Sequence, residues 1–502
     1  MYILMVVIFV LGYLGIALEH QIKIDKAASA LLIGVLTWTI YALNAVDILN
    51  LGLNTAWVDL VSGFSIPEAQ MGELANHFVK HELEHHLVEI SEILFFLLGA
   101  MTIVEVVDHH QGFKIITDKI TTTNKVKLLW ILGVLTFFMS AALDNLTTTI
   151  VMITLLKKLI DDKETRWLFA GVVVFSANAG GAWSPIGDVT TIMLWIGGQI
   201  TAANIIVKVI FPSLVSMIVP LVILSFTLKG NITRPSLGNQ RDFTTEKERN
   251  GVFFLGVSAL LFVPIFKTVT HLPPYMGMLF GLGLMWTVTE IMHKHKPEED
   301  RRHLSVINVL SRVDVPTVLF FLGILSAVAS LQSAGHLVQT AEWLDAVTNK
   351  NIYIINSVIG VLSAIVDNVP LVAGAMGMYE VDPSSPVLMV DGTFWELLAY
   401  AAGTGGSILI IGSAAGVAAM GLEKIDFVWY LKKISLLAFV GYAAGIGAFA
   451  FQESMIGHGD DKFVHDPVHH EFEGGEKEVT DKDAVHINSN MSLEIKRGAG
   501  SH

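Results

Sequence analysis

The chain has 502 residues, of which 53% are hydrophobic and only 16% charged, whereas soluble domains carry roughly 25% charged residues. Its long apolar runs predict a polytopic helical protein of the lipid bilayer and exclude an outer-membrane barrel, whose strands would be short and alternating. The absence of cysteine excludes disulfides, thiolate metal sites and cysteine catalysis, and the net charge of −14 comes partly from the polar end of the chain.

The apolar runs predict a series of membrane helices. In chain order they lie near 1–18, 27–43, 90–107, 167–197 (interrupted), 203–228, 252–268, 275–292, 315–332, 393–421 (interrupted) and 427–451. Residues 1–18 lack a basic n-region, so we expect a first span rather than a cleaved signal peptide. Two further apolar stretches, 128–160 and 352–380, are each divided by an Asp-Asn pair. Their arms of roughly a dozen residues are too short to cross a bilayer, so we expect re-entrant hairpins with polar tips.

The basic residues predict that the two hairpins enter from opposite sides. Both flanks of the first hairpin are rich in lysine, which indicates the cytoplasmic side. The flanks of the second hairpin carry almost no lysine or arginine, which indicates the external side. Each half then has five spans, one of them interrupted, plus one hairpin, and an odd number of spans inverts the second half relative to the first.

Matching landmarks in the two halves support an internal repeat. Asp144 and Asp367 lie 223 positions apart, and Gly180 and Gly405 lie 225 apart. We therefore expect an all-α fold of two inverted repeats. The predicted divisions are a first repeat at 1–230 (hairpin 128–160, broken helix 167–197), a cytoplasmic linker at 231–251, a second repeat at 252–451 (hairpin 352–380, broken helix 393–421), and a polar disordered tail at 452–502.

The hairpin tips carry carboxylates where lipid disfavours them. Ser140 precedes the pair Asp144-Asn145, and Ser363 precedes Asp367-Asn368 with the same spacing. An ionisable residue inside a membrane segment indicates function by default. Two carboxylates that meet near the midplane would need a cation, and at low cation concentration one or both should take up protons. One site that holds either a metal ion or protons, presented alternately to each side, would make an exchanger.

The interrupted helices add polar oxygens. The first break, with two glycines, a proline and a further glycine, carries Asn178, Asp188, Thr190 and Thr191. The second has glycines with Ser407 and Ser413 but no carboxylate, and it is also compatible with close helix packing through small residues. Oxygen ligands of these kinds suit hard cations such as alkali ions. Asp188, whose counterpart is Ser413, makes the predicted site asymmetric.

Four segments together resemble the NhaD-type sodium/proton antiporters of the ion transporter superfamily. They are 176–195, Asp144 to Thr148, Asp367 to Leu371, and Val106 to Phe113. The resemblance covers roughly residues 1–451. It implies exchange of Na⁺ or Li⁺ for H⁺, with no cofactor, in a bacterial inner membrane, and superfamily relatives suggest a homodimer.

The resemblance also implies which polar residues bind the cation and protons. The family's functional positions correspond here to Ser140, Asp144, Asn145, Asn178, Asp188, Thr190, Thr191, Ser363, Asp367, Asn368, Ser407 and Ser413. We expect Na⁺ at Asp144, Asp367 and Asp188, with the first two carrying the main role. The alternative is another carrier of the superfamily, for arsenite or an organic anion. The dicarboxylate carriers have Ser-Asn-Thr tips, and the Asp-Asn tips here argue against an anionic substrate.

A histidine-rich segment offers a different class of function. His81-Glu82-Leu83-Glu84-His85 satisfies His-Glu-x-x-His, which taken alone would suggest a membrane metalloprotease. The segment is so rich in His and Glu that one match arises easily, and an amphipathic interfacial helix explains it. His77, His81, His85 and His86 are candidates for pH sensing. No phosphate loop or nucleotide motif occurs, so we expect no nucleotide, no nucleic acid and no enzymatic activity.

Overall fold

The described part of the chain is helical throughout, without β-strands. The computed structural model describes residues 1–17, 19–62, 68–235 and 244–456. In the first half the helices are α1 (Tyr2–Ala17), α2 (Glu19–Ile22), α3 (Lys26–Leu43), α4 (Ala45–Leu49), α5 (Thr55–Ser62), α6 (Glu68–His109), α7 (Lys114–Thr117), α8 (Lys125–Leu143), α9 (Asn145–Leu159), α10 (Lys163–Ala182), α11 (Val189–Ile196) and α12 (Ala202–Thr227).

The second half continues with a corresponding series. Its helices are α13 (Glu246–Thr270), α14 (Pro274–His293), α15 (Glu298–Leu304), α16 (Val306–Leu310), α17 (Val315–Ser333), α18 (His336–Thr348), α19 (Ile352–Leu362), α20 (Asn368–Met378), α21 (Thr393–Gly405), α22 (Ala414–Glu423), α23 (Phe427–Lys433) and α24 (Ser435–Ile456). Within the described ranges, eight helices are long and apolar enough to cross a membrane, namely α3, α6, α8, α12, α13, α14, α17 and α24. The prediction of a polytopic all-α membrane protein is confirmed.

Helix α6 is much longer than the predicted span at 90–107. It has 42 residues, which at 1.5 Å per residue is about 63 Å, roughly twice the thickness of the hydrocarbon layer. The His- and Glu-rich segment continues the helix because no proline interrupts it. The histidines therefore lie on the amino-terminal extension of a membrane helix.

Both predicted hairpins contain a helix break at the Asp-Asn pair. Helices α8 and α9 have 19 and 15 residues, so the arms of the first hairpin are longer than the dozen residues we expected. The expectation that both arms are too short to cross a bilayer is wrong for α8, which is long and apolar enough to do so. Helices α19 and α20 have 11 residues each. Both interrupted helices are also broken, with α10 and α11 separated by residues 183–188 and α21 and α22 by residues 406–413.

The packing pairs of the two halves correspond to each other. Helix α3 packs on α17 as α14 packs on α6, and α10 packs on α8 as α21 packs on α19. Helix α9 contacts α22, and α20 contacts α11, so each hairpin contacts the broken helix of the other half. If each helix is replaced by its counterpart in the other half, the same packing pairs result, as an internal repeat requires. The inverted orientation of the second half stays a prediction.

Buried ion pairs join these helices away from the breaks. Arg166 Nε lies 2.7 Å from Glu423 Oε2 and ties α10 to α22. Lys208 Nζ lies 2.8 Å from Glu453 Oε1 and ties α12 to α24. Removing one partner of such a pair leaves an uncompensated charge, which costs about 3–5 kcal/mol. Helix α24 extends to Ile456, and the rest of the predicted tail, 457–502, lies outside the described residues, as does 236–243 of the predicted linker.

Candidate functional site

Four helix amino termini are capped by the polar residues singled out in the sequence. Asp144, Asp188, Asp367 and Ser413 are the N-caps of α9, α11, α20 and α22. Each side chain accepts a hydrogen bond from a backbone N–H two or three residues further on, at 2.8 to 3.4 Å. The positive ends of helix dipoles favour anions. Here three of the four ends already carry a carboxylate of the chain itself.

Asp188 receives side chains from both hairpin tips. Its Oδ2 accepts a hydrogen bond from Asn145 Nδ2 at 2.7 Å, and Asn368 Nδ2 lies 3.4 and 3.5 Å from its two oxygens. Thr190 donates to Oδ1 through its backbone N–H and its hydroxyl, both at 3.0 Å. The residue is only 1% exposed. The carboxylate placed third in the sequence-based ranking is therefore the one on which the two halves converge.

Asn178 connects this carboxylate network to the second broken helix. Its Oδ1 accepts from Asn145 Nδ2 at 3.1 Å. Its Nδ2 donates to Ser407 Oγ at 2.9 Å and to Ser413 Oγ at 2.8 Å. All these residues are buried. The structure thus brings Asn145, Asn178, Asp188, Asn368, Ser407 and Ser413 into one hydrogen-bonded group.

Asp144 lies beside this group rather than within it. Its carboxylate accepts from the backbone N–H and the hydroxyl of Thr147, at 2.8 and 2.9 Å. It interacts electrostatically with Asp188, as Asp188 does with Asp367. Its backbone has φ 72° and ψ 161°, a conformation that essentially only glycine adopts. Such strain costs about 1–3 kcal/mol and concentrates at functional sites.

Asp367 has a partner that the sequence did not indicate. Lys26, the first residue of α3, places Nζ 3.4 Å from Asp367 Oδ2, with side-chain exposures of 19% and 12%. The ammonium also lies over the ring of Phe320, 4.3 Å from its centroid. The partners are 341 residues apart in the chain. The sequence shows Lys26 only as a lysine at the start of an apolar run, and this position does not reveal that Asp367 is its partner.

Three of the predicted hydroxyls bond to backbone carbonyls. Ser140 donates to Ala177 O at 2.6 Å, and Ser363 donates to Ala402 O at 2.8 Å. These equivalent bonds attach each hairpin to the broken helix of its own half. Thr191 donates to Gly181 O at 3.2 Å across the first break. These hydroxyls hold the backbone around the carboxylates in place.

Glycines allow the hairpins to approach the broken helices closely. A Cβ on Gly180 would overlap the carbonyl oxygen of Phe137, and one on Gly405 would overlap that of Gly360. Both contacts are with backbone, which cannot rotate away as a side chain can. The close approach is what brings the tips within hydrogen-bond distance of the breaks.

We expect Gly180→Ala and Gly405→Ala to destabilise the protein by about 1–3 kcal/mol, because overpacking forces backbone shifts. Gly447→Ala, on α24 with no atom within 4 Å of the added Cβ, is the control and should be neutral or slightly stabilising. Thermal unfolding in detergent measures the difference. Equal melting temperatures for all three variants would contradict the close approach.

The His-Glu-x-x-His segment does not assemble as a zincin site. In the described part of the chain, the His/Asp/Glu side chains whose ligand atoms lie within 4.8 Å of one another are His85, His86 and Glu89. His81 is not in this group, and Glu82 accepts a hydrogen bond from Ser333 Oγ at 3.0 Å. His77, His81 and His85 are exposed, and His86 Nδ1 lies 3.2 Å from Glu89 Oε2.

The sequence of this chain is similar to those of known transporters. A family model, CitMHS, described as citrate transporter, matches residues 3–405. Sodium/proton antiporter 1 of Arabidopsis thaliana is 48% identical over 452 residues, covering 89% of this chain and 71% of the relative. Sodium/proton antiporter 2 of the same plant is 45% identical, covering 88% and 97%. The Na(+)/H(+) antiporter NhaD of Vibrio parahaemolyticus is 31% identical, covering 72% and 91%.

Proposed function

The chain belongs to the CitMHS family of transporters and, with its relatives above, to the NhaD-type sodium/proton antiporters, and we propose that it exchanges Na⁺ or Li⁺ for H⁺ across a membrane. It is a transporter rather than an enzyme. The energy comes from an ion gradient, and sodium and protons are cargo rather than cofactors.

The placement of Asp188 is the observation that carries this proposal. Three negatively charged N-caps convert helix ends that would attract an anion into a group of oxygens that attracts a cation. Both hairpin tips donate amide hydrogens to Asp188. Carboxylate, amide and hydroxyl oxygens are ligands for a hard cation. We propose that Na⁺ binds at Asp188 together with Asp144 and Asp367.

Proton exchange follows from the mutual repulsion of these carboxylates. The carboxylate of Asp188 interacts electrostatically with those of Asp144 and Asp367, and Asp188 itself is buried. Charges buried together are costly without a counter-ion. When Na⁺ leaves, protons neutralise the site, and when Na⁺ returns it displaces them. Alternating access to the two sides then couples the two flows.

An anion carrier is the main alternative because the matching family model is described as citrate transporter. Three carboxylates at the helix ends would repel citrate or another organic anion. They would also disfavour oxyanion forms of arsenic. A metalloprotease is the remote alternative. Among the described residues, His81 does not join His85 in a group close enough to share a metal ion, and Glu82 accepts a hydrogen bond from Ser333.

We propose that the transporter works as a homodimer in a bacterial inner membrane. Exchange requires an energised membrane, and the bacterial inner membrane expected from the sequence is such a membrane. The relatives named above come from a plant and from a bacterium. We propose a homodimer, on the resemblance to the superfamily. Sensing of pH by His77, His81, His85 and His86 stays a prediction. A quadruple glutamine substitution that left the pH dependence of exchange unchanged would exclude it.

The direct test uses purified protein in liposomes that contain a pH-sensitive dye. With an imposed proton gradient, we expect addition of Na⁺ or Li⁺ to dissipate the gradient, because cation binding displaces protons from the same carboxylates. Potassium and choline salts are the ionic controls, and citrate and arsenite test the anion alternative. Dissipation by citrate or arsenite without a response to Na⁺ or Li⁺ would reject the proposed function.

A further inference from the structure

Lys26 places a cation of the chain itself against one carboxylate of the proposed site. The pair Lys26–Asp367 joins α3 to the N-cap of α20, and both side chains are mostly buried. Its Nζ lies 3.4 Å from Oδ2, which is long for a charge-assisted hydrogen bond. The contact is therefore predominantly electrostatic, and a second cation could replace the ammonium without breaking a short directional bond.

The surroundings hold the ammonium at this position. The ring of Phe320 on α17 lies under Nζ, and a cation–π contact of this kind contributes about 0.5–2 kcal/mol. Tyr13 on α1 also interacts electrostatically with Asp367. Asp367 thus interacts with Lys26 of α3 and Tyr13 of α1 as well as with Asp188.

We propose that Lys26 is a tethered competitor of sodium, holding Asp367 when no sodium is bound and moving aside when sodium binds. The proposal rests on the proposed sodium/proton exchange and deepens it. Lys26 is a positioning residue because it acts through Asp367. A ligand whose site is available only in a fraction of molecules binds with an apparent affinity reduced by that fraction. The ion pair should therefore raise the KM for sodium.

The test compares sodium KM and kcat for variants in liposomes at one alkaline pH, where protons compete least. Lys26→Gln should lower the KM for sodium about tenfold, which corresponds to a pair that is closed about nine-tenths of the time. Lys26→Met should do the same, because it also removes the charge. Lys26→Arg keeps the charge and should restore a KM within about twofold of the wild type. We expect no variant to raise kcat.

A variant that keeps the charge of Lys26 and a matched control complete the series. Phe320→Leu keeps every charge but removes the ring under Nζ, and it should lower the KM about threefold. Lys23→Gln removes an exposed lysine three residues before Lys26, and its KM should equal that of the wild type. Melting temperatures measured in parallel identify variants that fold.

The possible failures are distinguishable. If the wild type shows no sodium-dependent exchange, the proposed function fails. If the wild type exchanges normally but the folded variants Lys26→Gln, Lys26→Met and Phe320→Leu keep its KM, the competitor role is rejected. A higher KM in the neutral variants would also reject it and would assign Lys26 a purely structural role.

Discussion

Asp188→Asn is expected to abolish sodium/proton exchange, lowering its rate at least about 30-fold. Asp188 is the carboxylate that both hairpin tips contact, through Asn145 and Asn368. An asparagine there would keep a carbonyl oxygen but lose the charge that binds the cation and the proton. Loss of one partner of a buried charged interaction costs about 2–5 kcal/mol, and 1.4 kcal/mol is a factor of ten.

Asp188→Asn distinguishes the effect of the negative charge from the effect of capping α11. Asparagine caps a helix amino terminus about as well as aspartate does, so α11 should still begin at the same residue. Asp426→Asn is the matched control, because Asp426 caps α23 by accepting from Trp429 N at 2.9 Å on the protein surface. We expect the control to exchange at the wild-type rate. A folded Asp188→Asn protein with normal exchange in liposomes would place the cation site elsewhere.

Asp144→Asn is expected to reduce exchange about as strongly. The carboxylate of Asp144 interacts electrostatically with that of Asp188. The backbone of Asp144 is strained, and strain of this kind is concentrated at functional sites. If Asp144 supplied only a cap, the amide would replace it with little effect. We therefore expect the variant to fold but to fail in sodium-dependent dissipation of a proton gradient.

The control for this variant is a second aspartate that makes the same capping hydrogen bond from an unstrained backbone, with φ −65° and ψ 119°. Asp162 caps α10 and accepts from Thr165 N at 2.8 Å, as Asp144 accepts from Thr147 N at 2.8 Å. Asp162 is exposed, and its hydrogen bonds to Thr165 hold the pKa of its carboxyl below the usual range. Asp162→Asn should leave exchange unchanged. Equal losses in both variants would mean that capping, not the intramembrane charge, determines the result.

The fold explains how a cation carrier and anion carriers can share one architecture. Four helix amino termini point their partial positive charges toward one region. Bare, such ends suit an anion. Here Asp144, Asp188 and Asp367 occupy three of them, so we propose that the difference in substrate class comes from three N-cap side chains.

Much of the architecture could be predicted from the sequence because the membrane restricts it. Apolar runs, helix-breaking glycines and prolines, and charges in lipid are each local features with few structural solutions. These features predicted the breaks at Asp144 and Asp367 and those around Pro185 and Gly412, and the structure has a break at each. The length of α6 was not predicted, because its polar amino-terminal part lacks the apolar pattern that marks a span.

The sequence by itself determined which residues are polar where lipid disfavours polarity, and hence that this is a helical membrane transporter with aspartates in its interior. Only the tertiary structure decided their arrangement. Asp188 is central because Asn145 and Asn368 reach it from both halves, and Asp367 faces Lys26 from 341 residues away. Hydrophobic periodicity places a residue along its helix, but contacts between distant helices depend on packing that no local pattern encodes.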